Sequence, residues 1–164
     1  MRLRRGFSLL EIVVVVAIVA LLLAVAIPSF TRSRQNANIE SEISALSGRL
    51  TRSRVLATRG EVIDTAVPPT ASRSAGLRIA ANNAYVLYVS TAADGVGGTE
   101  RVVEASQFPP ESDLTIIEPA VGAAVRFRHN GTLVTGGPTR VVLRDGAGRQ
   151  HVLNLTLTGQ VSRQ

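Results

Sequence analysis

Glu11 is the residue near the amino terminus whose side chain most needs a chemical explanation. It stands in a run from Phe7 to Phe30 whose other non-apolar residues are Ser8, Pro28 and Ser29. A charged side chain in such a run costs roughly 2.5–3.5 kcal/mol at the centre of a bilayer and less near an end. Because a paired cation offsets the lost hydration of a carboxylate, we expect Glu11 to have a functional partner.

Arginines in the carboxyl-terminal half form a second set of residues that could bind a ligand. The chain has 18 basic residues, all of them arginine, against 12 acidic ones, and a net charge of +6. Five arginines lie on or beside predicted strands. Because side chains alternate between the two faces of a strand, four of these arginines form two pairs, and the two members of each pair share a face. If the strands are neighbours, these residues form a phosphate-binding patch for nucleic acid; the alternative is a solvated sheet face. The five are Arg126, Arg128, Arg140, Arg144 and Arg149.

Residues typical of catalytic and metal sites are sparse. The chain has no cysteine, which excludes disulfides, thiolate metal sites and cysteine nucleophiles. Its two histidines, His129 and His151, fall at predicted hairpin positions. The glycines of 95–98 and 146–148 do not have the spacing of nucleotide-binding loops. The sequence therefore predicts a protein that is not an enzyme and that uses no metal or cofactor.

The segment that holds Glu11 is long enough to cross a membrane, since a span needs roughly 17–25 predominantly apolar residues. Three arginines among the first five residues predict a cytoplasmic amino terminus. One interpretation is a secretory signal peptide cleaved after Ala24-Val25-Ala26, although the apolar run exceeds the usual ~7–15 residues. A second is a plain anchor, which explains the length and leaves Glu11 without a role. The order of residues at the start of the segment supplies a third.

The order Arg4-Arg5-Gly6-Phe7-Ser8-Leu9-Leu10-Glu11, followed by a long apolar run, resembles the start of type IV prepilins and type II secretion pseudopilins. The resemblance implies that a prepilin peptidase cleaves after Gly6 and that the new amine of Phe7 is methylated. It also implies that Glu11 pairs with the terminal amine of a neighbouring subunit. Many of these proteins have a proline at the place of Pro28, where the missing backbone donor predicts a kinked or locally unwound helix.

Apolar residues continue at helical spacing beyond the predicted anchor. They are separated by four, three and four residues, with charged and polar residues between them, which predicts an amphipathic helix packed on a core. We expect this helix to continue the anchor to about Arg59, with Gly60 as its stop signal. The predicted stripe consists of Ile39, Ile43, Leu46 and Leu50.

The rest of the chain is predicted to be an antiparallel β domain. The turn residues Asn130-Gly131 and the segment Asp145–Gly148 each predict a hairpin. The segment Val62–Gly76 contains two adjacent prolines and several serines or threonines and is typical of a loop between helix and sheet. The candidate strands are Leu77–Ala80, Ala84–Thr91, Arg101–Ala105, Leu114–Glu118, Ala124–Arg128, Arg140–Arg144 and Gln150–Leu157.

The predicted fold class is therefore α+β and pilin-like. One long amino-terminal helix, with a transmembrane first half and an amphipathic second half, precedes an antiparallel β-sheet domain. The predicted segments are a cleaved leader (1–6), the transmembrane or filament-core half of the helix (7–30), its amphipathic half (31–59) and a β-rich periplasmic domain (60–164).

Within the family, the carboxyl-terminal half resembles GspH/FimT-type minor pilins. The similar stretches are Phe127-Arg128-His129-Asn130-Gly131 and Leu157-Thr158-Gly159-Gln160-Val161. The lack of cysteine departs from the many major pilins that close a carboxyl-terminal loop with a disulfide, and it favours the minor class. The resemblance thus implies a structural subunit that assembles into, primes or caps a type IV pilus through its amino-terminal helix.

The same resemblance implies partners and a location. The partners are other pilin or pseudopilin subunits, the prepilin peptidase and the assembly platform of the inner membrane. The protein crosses the inner membrane once, with a periplasmic globular domain, before it joins a pilus or pseudopilus. Two alternatives stay open: a GspH-like minor pseudopilin of type II secretion, and a FimT-like minor pilin that binds DNA during uptake.

Overall fold

The computed structural model describes residues 9–63, 68, 70–94 and 96–164, without the side chains of residues 25, 26 and 28. The predicted cleavage and methylation site at Gly6 and Phe7 lies outside the described residues. The chain divides into two compact units, Met1–Asn38 and Ile39–Gln164. One long helix precedes antiparallel sheets, which confirms the predicted α+β class.

Helix α1 runs from Leu9 to Arg59 and ends where the sequence predicts. Gly60 follows it with a φ of +67°, and its N–H donates to the carbonyl of Leu56 at 3.3 Å. A left-handed glycine just after the last turn is a common way for a helix to end, because glycine adopts this conformation without steric cost. Residue 28 is part of the helix, and the kink proposed for Pro28 stays a prediction.

Ten strands follow α1 in the described part of the chain, and they form two four-stranded antiparallel sheets and one short ladder. The strands are β1 (Val62–Ile63), β2 (Thr70–Ala71), β3 (Ser74–Ala81), β4 (Ala84–Ser90), β5 (Glu100–Gln107), β6 (Thr115–Glu118), β7 (Ala124–Arg128), β8 (Arg140–Arg144), β9 (Gln150–Leu155) and β10 (Val161–Arg163). The first sheet has the order β5-β4-β3-β7, the second has the order β10-β9-β8-β6, and β1 pairs with β2.

The segment Val62–Gly76 is not the loop that the sequence predicts. It contains β1 and β2, which pair with each other in antiparallel register, and β3 already begins at Ser74. The prediction was wrong because two-residue strands are too short to show the alternation over roughly four to eight residues that reveals a strand in a sequence. Ile63 in β1 is fully buried, so this ladder contributes an apolar side chain to the core.

Of the two predicted hairpins, the one through Asp145–Gly148 joins β8 to β9 and is confirmed. At Asn130-Gly131 the turn forms, but Thr132–Val134 makes a single bridge through Leu133 rather than a strand. The N–H of Leu133 donates to the carbonyl of Leu157 at 3.0 Å. The returning segment therefore divides its backbone hydrogen bonds between β7 and the turn that follows β9.

The core of the second unit combines the predicted apolar stripe of α1 with residues of both four-stranded sheets. The four stripe residues are at most 7% exposed, which confirms their predicted role. Leu77 and Phe127 from the first sheet and Leu143 from the second are fully buried members of the same cluster. Burying a side chain of this size contributes roughly 1.5–3 kcal/mol, so packing holds this part of α1 more firmly than helix propensity does.

The edges of the sheets differ in length and in what covers them. β5 is an eight-residue edge strand; its pairing with β4 is irregular between Leu87 and Tyr88, and its three charged side chains all form ion pairs. The opposite edge of that sheet, β7, carries the bridge to Leu133. The edges of the second sheet, β6 and β10, are only four and three residues long.

Candidate functional site

The first candidate site is the apolar half of α1 around Glu11. The exposed side chains there include Leu9 at 81% and Leu10 at 75%, and none of the most apolar window of α1 is buried. Among the described residues, α1 is the one helix long and apolar enough to span a bilayer. A contiguous apolar surface of this kind marks contact with lipid or with another protein. Glu11 is exposed within it.

The second candidate site is the predicted arginine patch, whose members the structure distributes over two sheets. Arg126 and Arg128 lie on β7 of the first sheet, whereas Arg140 and Arg144 lie on β8 of the second. The Nε of Arg140 donates to Glu118 at 2.6 Å, and the Nε of Arg149 donates to Asp145 at 2.8 Å. The alternation within each strand is as predicted, but the five residues do not meet on neighbouring strands of one sheet.

Arg126 is held in place by a buried tyrosine on the outer face of its sheet. Tyr88 and Arg126 lie opposite Gly76 on either side of β3, and the Nε of Arg126 donates to the Tyr88 hydroxyl at 3.2 Å. A Cβ on Gly76 would lie 3.0 Å from that hydroxyl, so glycine leaves the space that Tyr88 occupies. The guanidinium of Arg78 covers the tyrosine ring at 5.1 Å. Burial raises the pKa of Tyr88, and the hydrogen bond from Arg126 opposes the rise.

Arg126 and Arg128 line a cleft of about 310 Å³, which we name the Arg126–Arg128 cleft. Both side chains are half-buried. The remaining lining residues come from the loop after β4 and from the segment after β7. They are Asp94, Val96, Val134, Thr135, Gly136 and Gly137.

An ion-pair network that the sequence analysis missed joins α1 to β5. Glu104 accepts from the Nε of Arg49 and from Arg52, both at 2.8 Å, and Arg49 also donates to the Tyr85 hydroxyl at 2.8 Å. The hydrogen bond from Arg49 is the main reason why the pKa of Glu104 is lowered. The only sequence signal was that Arg49 neighbours Leu50 of the apolar stripe, which could not reveal the distant acid.

Two further acids bind arginines and stabilise the carboxyl-terminal part of the second unit. The hydrogen bond from Arg163 on β10 lowers the pKa of Glu40 on α1; one contact of this pair measures 2.8 Å. Burial acts to raise the pKa of Asp145, but hydrogen bonds from the backbone and side chain of Arg149 and from His151 outweigh it, so that the pKa is lowered. The residues that the structure describes contain no cluster of three potential metal ligands.

The stretches 127–131 and 157–161 contact each other through glycines. Gly131 and Gly159 have φ values of +77° and +79°, and a Cβ on Gly159 would overlap the Gly131 carbonyl oxygen. Arg54 on α1 donates from its Nε to that oxygen at 3.1 Å. The helix and two turns therefore meet at one point, which we name the glycine junction (Arg54, Gly131 and Gly159).

Comparison with known proteins identifies the amino-terminal segment. The prokaryotic N-terminal methylation motif matches residues 1–27. No curated protein and no solved structure matches the chain. The motif is typical of membrane-anchored structural subunits of the type IV pilin-like class, which a prepilin peptidase processes and which interact with other pilin-type subunits. The long helix that precedes antiparallel sheets is consistent with a pilin fold.

Proposed function

We propose that the chain is a minor pilin that assembles into, primes or caps a type IV pilus through the apolar half of α1. The observation that carries the proposal is the methylation motif at residues 1–27, which continues into a helix with an exposed apolar surface. That surface suits lipid before assembly and the helices of other subunits afterwards. The second unit has its own core and remains in the periplasm.

In this proposal Glu11 sets the register between neighbouring subunits. Cleavage after Gly6 gives Phe7 a terminal amine, and Glu11 of one subunit pairs with the amine of the next. In a medium of low dielectric constant, an uncompensated charge is costly, so the arrangement in which both charges are paired is favoured over slipped ones. The acid that is unfavourable in the membrane thereby becomes the group that selects one docking geometry.

A minor pseudopilin of type II secretion is the alternative within the same structural class. It would use the same leader, helix and packing, so the discriminating observation is physiological. Deletion of the gene should abolish piliation in the first case and protein secretion in the second. DNA binding receives less support, because Arg140 and Arg149 are neutralised by acids and the remaining arginines of the set lie on different sheets.

The processing step is tested by mass spectrometry of the mature amino terminus. We expect a protein that begins at Phe7 with a methylated amine, because Gly6 precedes the Phe7-Ser8-Leu9-Leu10-Glu11 sequence. A mature protein that begins at Ile27 would instead identify 24–26 as a secretory cleavage site, and the proposed function would be wrong.

The assembly step is tested by replacing Glu11 with leucine. Membrane insertion and cleavage should persist, since the leader is unchanged and a costly acid is removed. Incorporation into the filament should fail, because an unpaired amine in a buried site costs roughly 3–5 kcal/mol, which lowers an association constant by about two to three orders of magnitude or more. Ser29→Leu, a polar-to-leucine change in the same segment, is the matched control. Crosslinking to partner pilins measures the outcome, and normal incorporation of Glu11→Leu would contradict the pairing.

A further inference from the structure

We infer that the Arg126–Arg128 cleft is a binding site for a single carboxylate group. The carboxylate belongs either to a small free acid or to an acidic side chain of a partner protein. The site goes beyond the proposed function, since it lies in the second unit and does not depend on the apolar half of α1.

The side chains of Arg126 and Arg128 bind neutral groups rather than acids. Within the described residues, neither Arg126 nor Arg128 forms an ion pair with an acid. The arginines that do are Arg49, Arg52, Arg78, Arg101, Arg140, Arg149 and Arg163. The side-chain hydrogen bonds of the two cleft arginines go to neutral hydroxyls, of Tyr88 at 3.2 Å and of Thr135 at 3.5 Å. Two half-buried cations that form no ion pair with a described acid favour an incoming anion.

Arg126 is already positioned before any ligand arrives. Its Nε is occupied by the Tyr88 hydroxyl, and Gly76 leaves the space for this contact. The two terminal nitrogens of the guanidinium are therefore left for a ligand, in the planar arrangement that suits a carboxylate. Arg128 lies two residues along the same strand and presents its side chain on the same face. A group entering the cleft meets both cations without a prior rearrangement of Arg126.

The size and lining of the cleft determine which anion fits. A volume of about 310 Å³ is at the lower end of the roughly 300–1,000 Å³ found for ligand pockets. Asp94 lies in the wall, and its carboxylate accepts from the N–H of Val96 at 3.0 Å, so a polyanion such as a nucleic acid backbone meets repulsion. Val96 and Val134 offer apolar contact for the methylene groups of an acidic side chain. These features favour one carboxylate over a chain of phosphates.

The test is a titration of the full-length protein in detergent micelles, followed by NMR of the arginine Nε–H groups. The probes are sodium acetate, glutamate blocked at both ends, and a short oligothymidylate, each at constant ionic strength. The Arg126 and Arg128 signals should move and saturate with both carboxylates, while the signal of exposed Arg144 stays fixed. Tighter binding of blocked glutamate would assign the site to a protein side chain, and equal binding would assign it to a free acid.

Substitutions at three positions test the site. Arg128→Gln should weaken acetate binding about tenfold or more, since it removes one charge-assisted contact. Because the hydrogen bond from Arg128 to Thr135 is weak, we expect this substitution to change the stability of the fold little. Asp94→Asn should tighten binding severalfold, and Arg144→Gln should leave it unchanged. The inference is overturned if neither carboxylate moves the two signals, if Arg144→Gln weakens binding as much as Arg128→Gln, or if the oligothymidylate binds this cleft and the carboxylates do not.

Discussion

A methyl group added at Gly159 should destabilise the second unit strongly, because it would clash with the other residues of the glycine junction. Alanine in the left-handed region costs about 1–2 kcal/mol, and Gly159 has a φ of +79°. Its Cβ would also overlap the Gly131 carbonyl oxygen and lie 3.0 Å from the Cδ and Nε of Arg54. Relieving that overlap breaks the hydrogen bond from Arg54, a charged donor whose loss costs roughly 1.5–3 kcal/mol. We expect Gly159→Ala to lower the free energy of unfolding by about 2.5–5 kcal/mol.

Gly148→Ala is the matched control for this substitution. Gly148 has a φ of +82° but no heavy atom within 4 Å of its Cβ position, so only the backbone cost of about 1–2 kcal/mol applies. Urea unfolding of the full-length protein in detergent can be followed by tyrosine fluorescence. The chain has no tryptophan, and both tyrosines are buried in the second unit. Equal losses for the two alanine variants would refute the role assigned to the glycine junction.

Two further predictions concern the carboxylates bound to arginine. Glu104→Gln should lower the free energy of unfolding by about 1.5–3 kcal/mol, because it leaves half-buried Arg49 without its charged acceptor. Glu118→Gln, in the more exposed pair with Arg140, should lower it by under about 1 kcal/mol. Equal losses in urea unfolding would contradict this order. The pKa values of Glu40, Glu104 and Asp145 are lowered, so their stabilisation is complete above the pKa of the unfolded chain and is lost as pH falls through the folded pKa. Thermal unfolding should therefore show stability declining below about pH 4.5, the ordinary pKa of glutamate, and a rise on acidification would contradict it.

The helix and most strands could be predicted from the sequence because their signals are local. The stripe of α1 repeats with the helical period, and β4 and β9 are dense in strand-forming residues. β1 and β2 were not predicted because each is only two residues long. The turn at Asn130-Gly131 was predicted correctly. The backbone pairing of Leu133 was not, because its hydrogen-bond partner Leu157 is distant in sequence.

The candidate sites show the same division between local and distant information. Alternation correctly gave Arg126 and Arg128 a shared face, but no local pattern states that β7 and β8 belong to different sheets. The acids that neutralise Arg140 and Arg49 are 22 and 55 residues away. Gly76 carried no signal at all, since its role is to leave room for Tyr88 on the neighbouring strand.

The edges of the two sheets bear on how copies of this subunit behave when crowded together. An open strand edge invites the strand of another molecule, and short length, bulges and charged side chains each discourage such addition. β6 and β10 are short, β5 combines an irregular register with charges that are already paired, and β7 is capped by Leu133. In the proposed function, subunits at high density in a membrane therefore have little route to aggregation through their β domains, and filament growth is left to the helix.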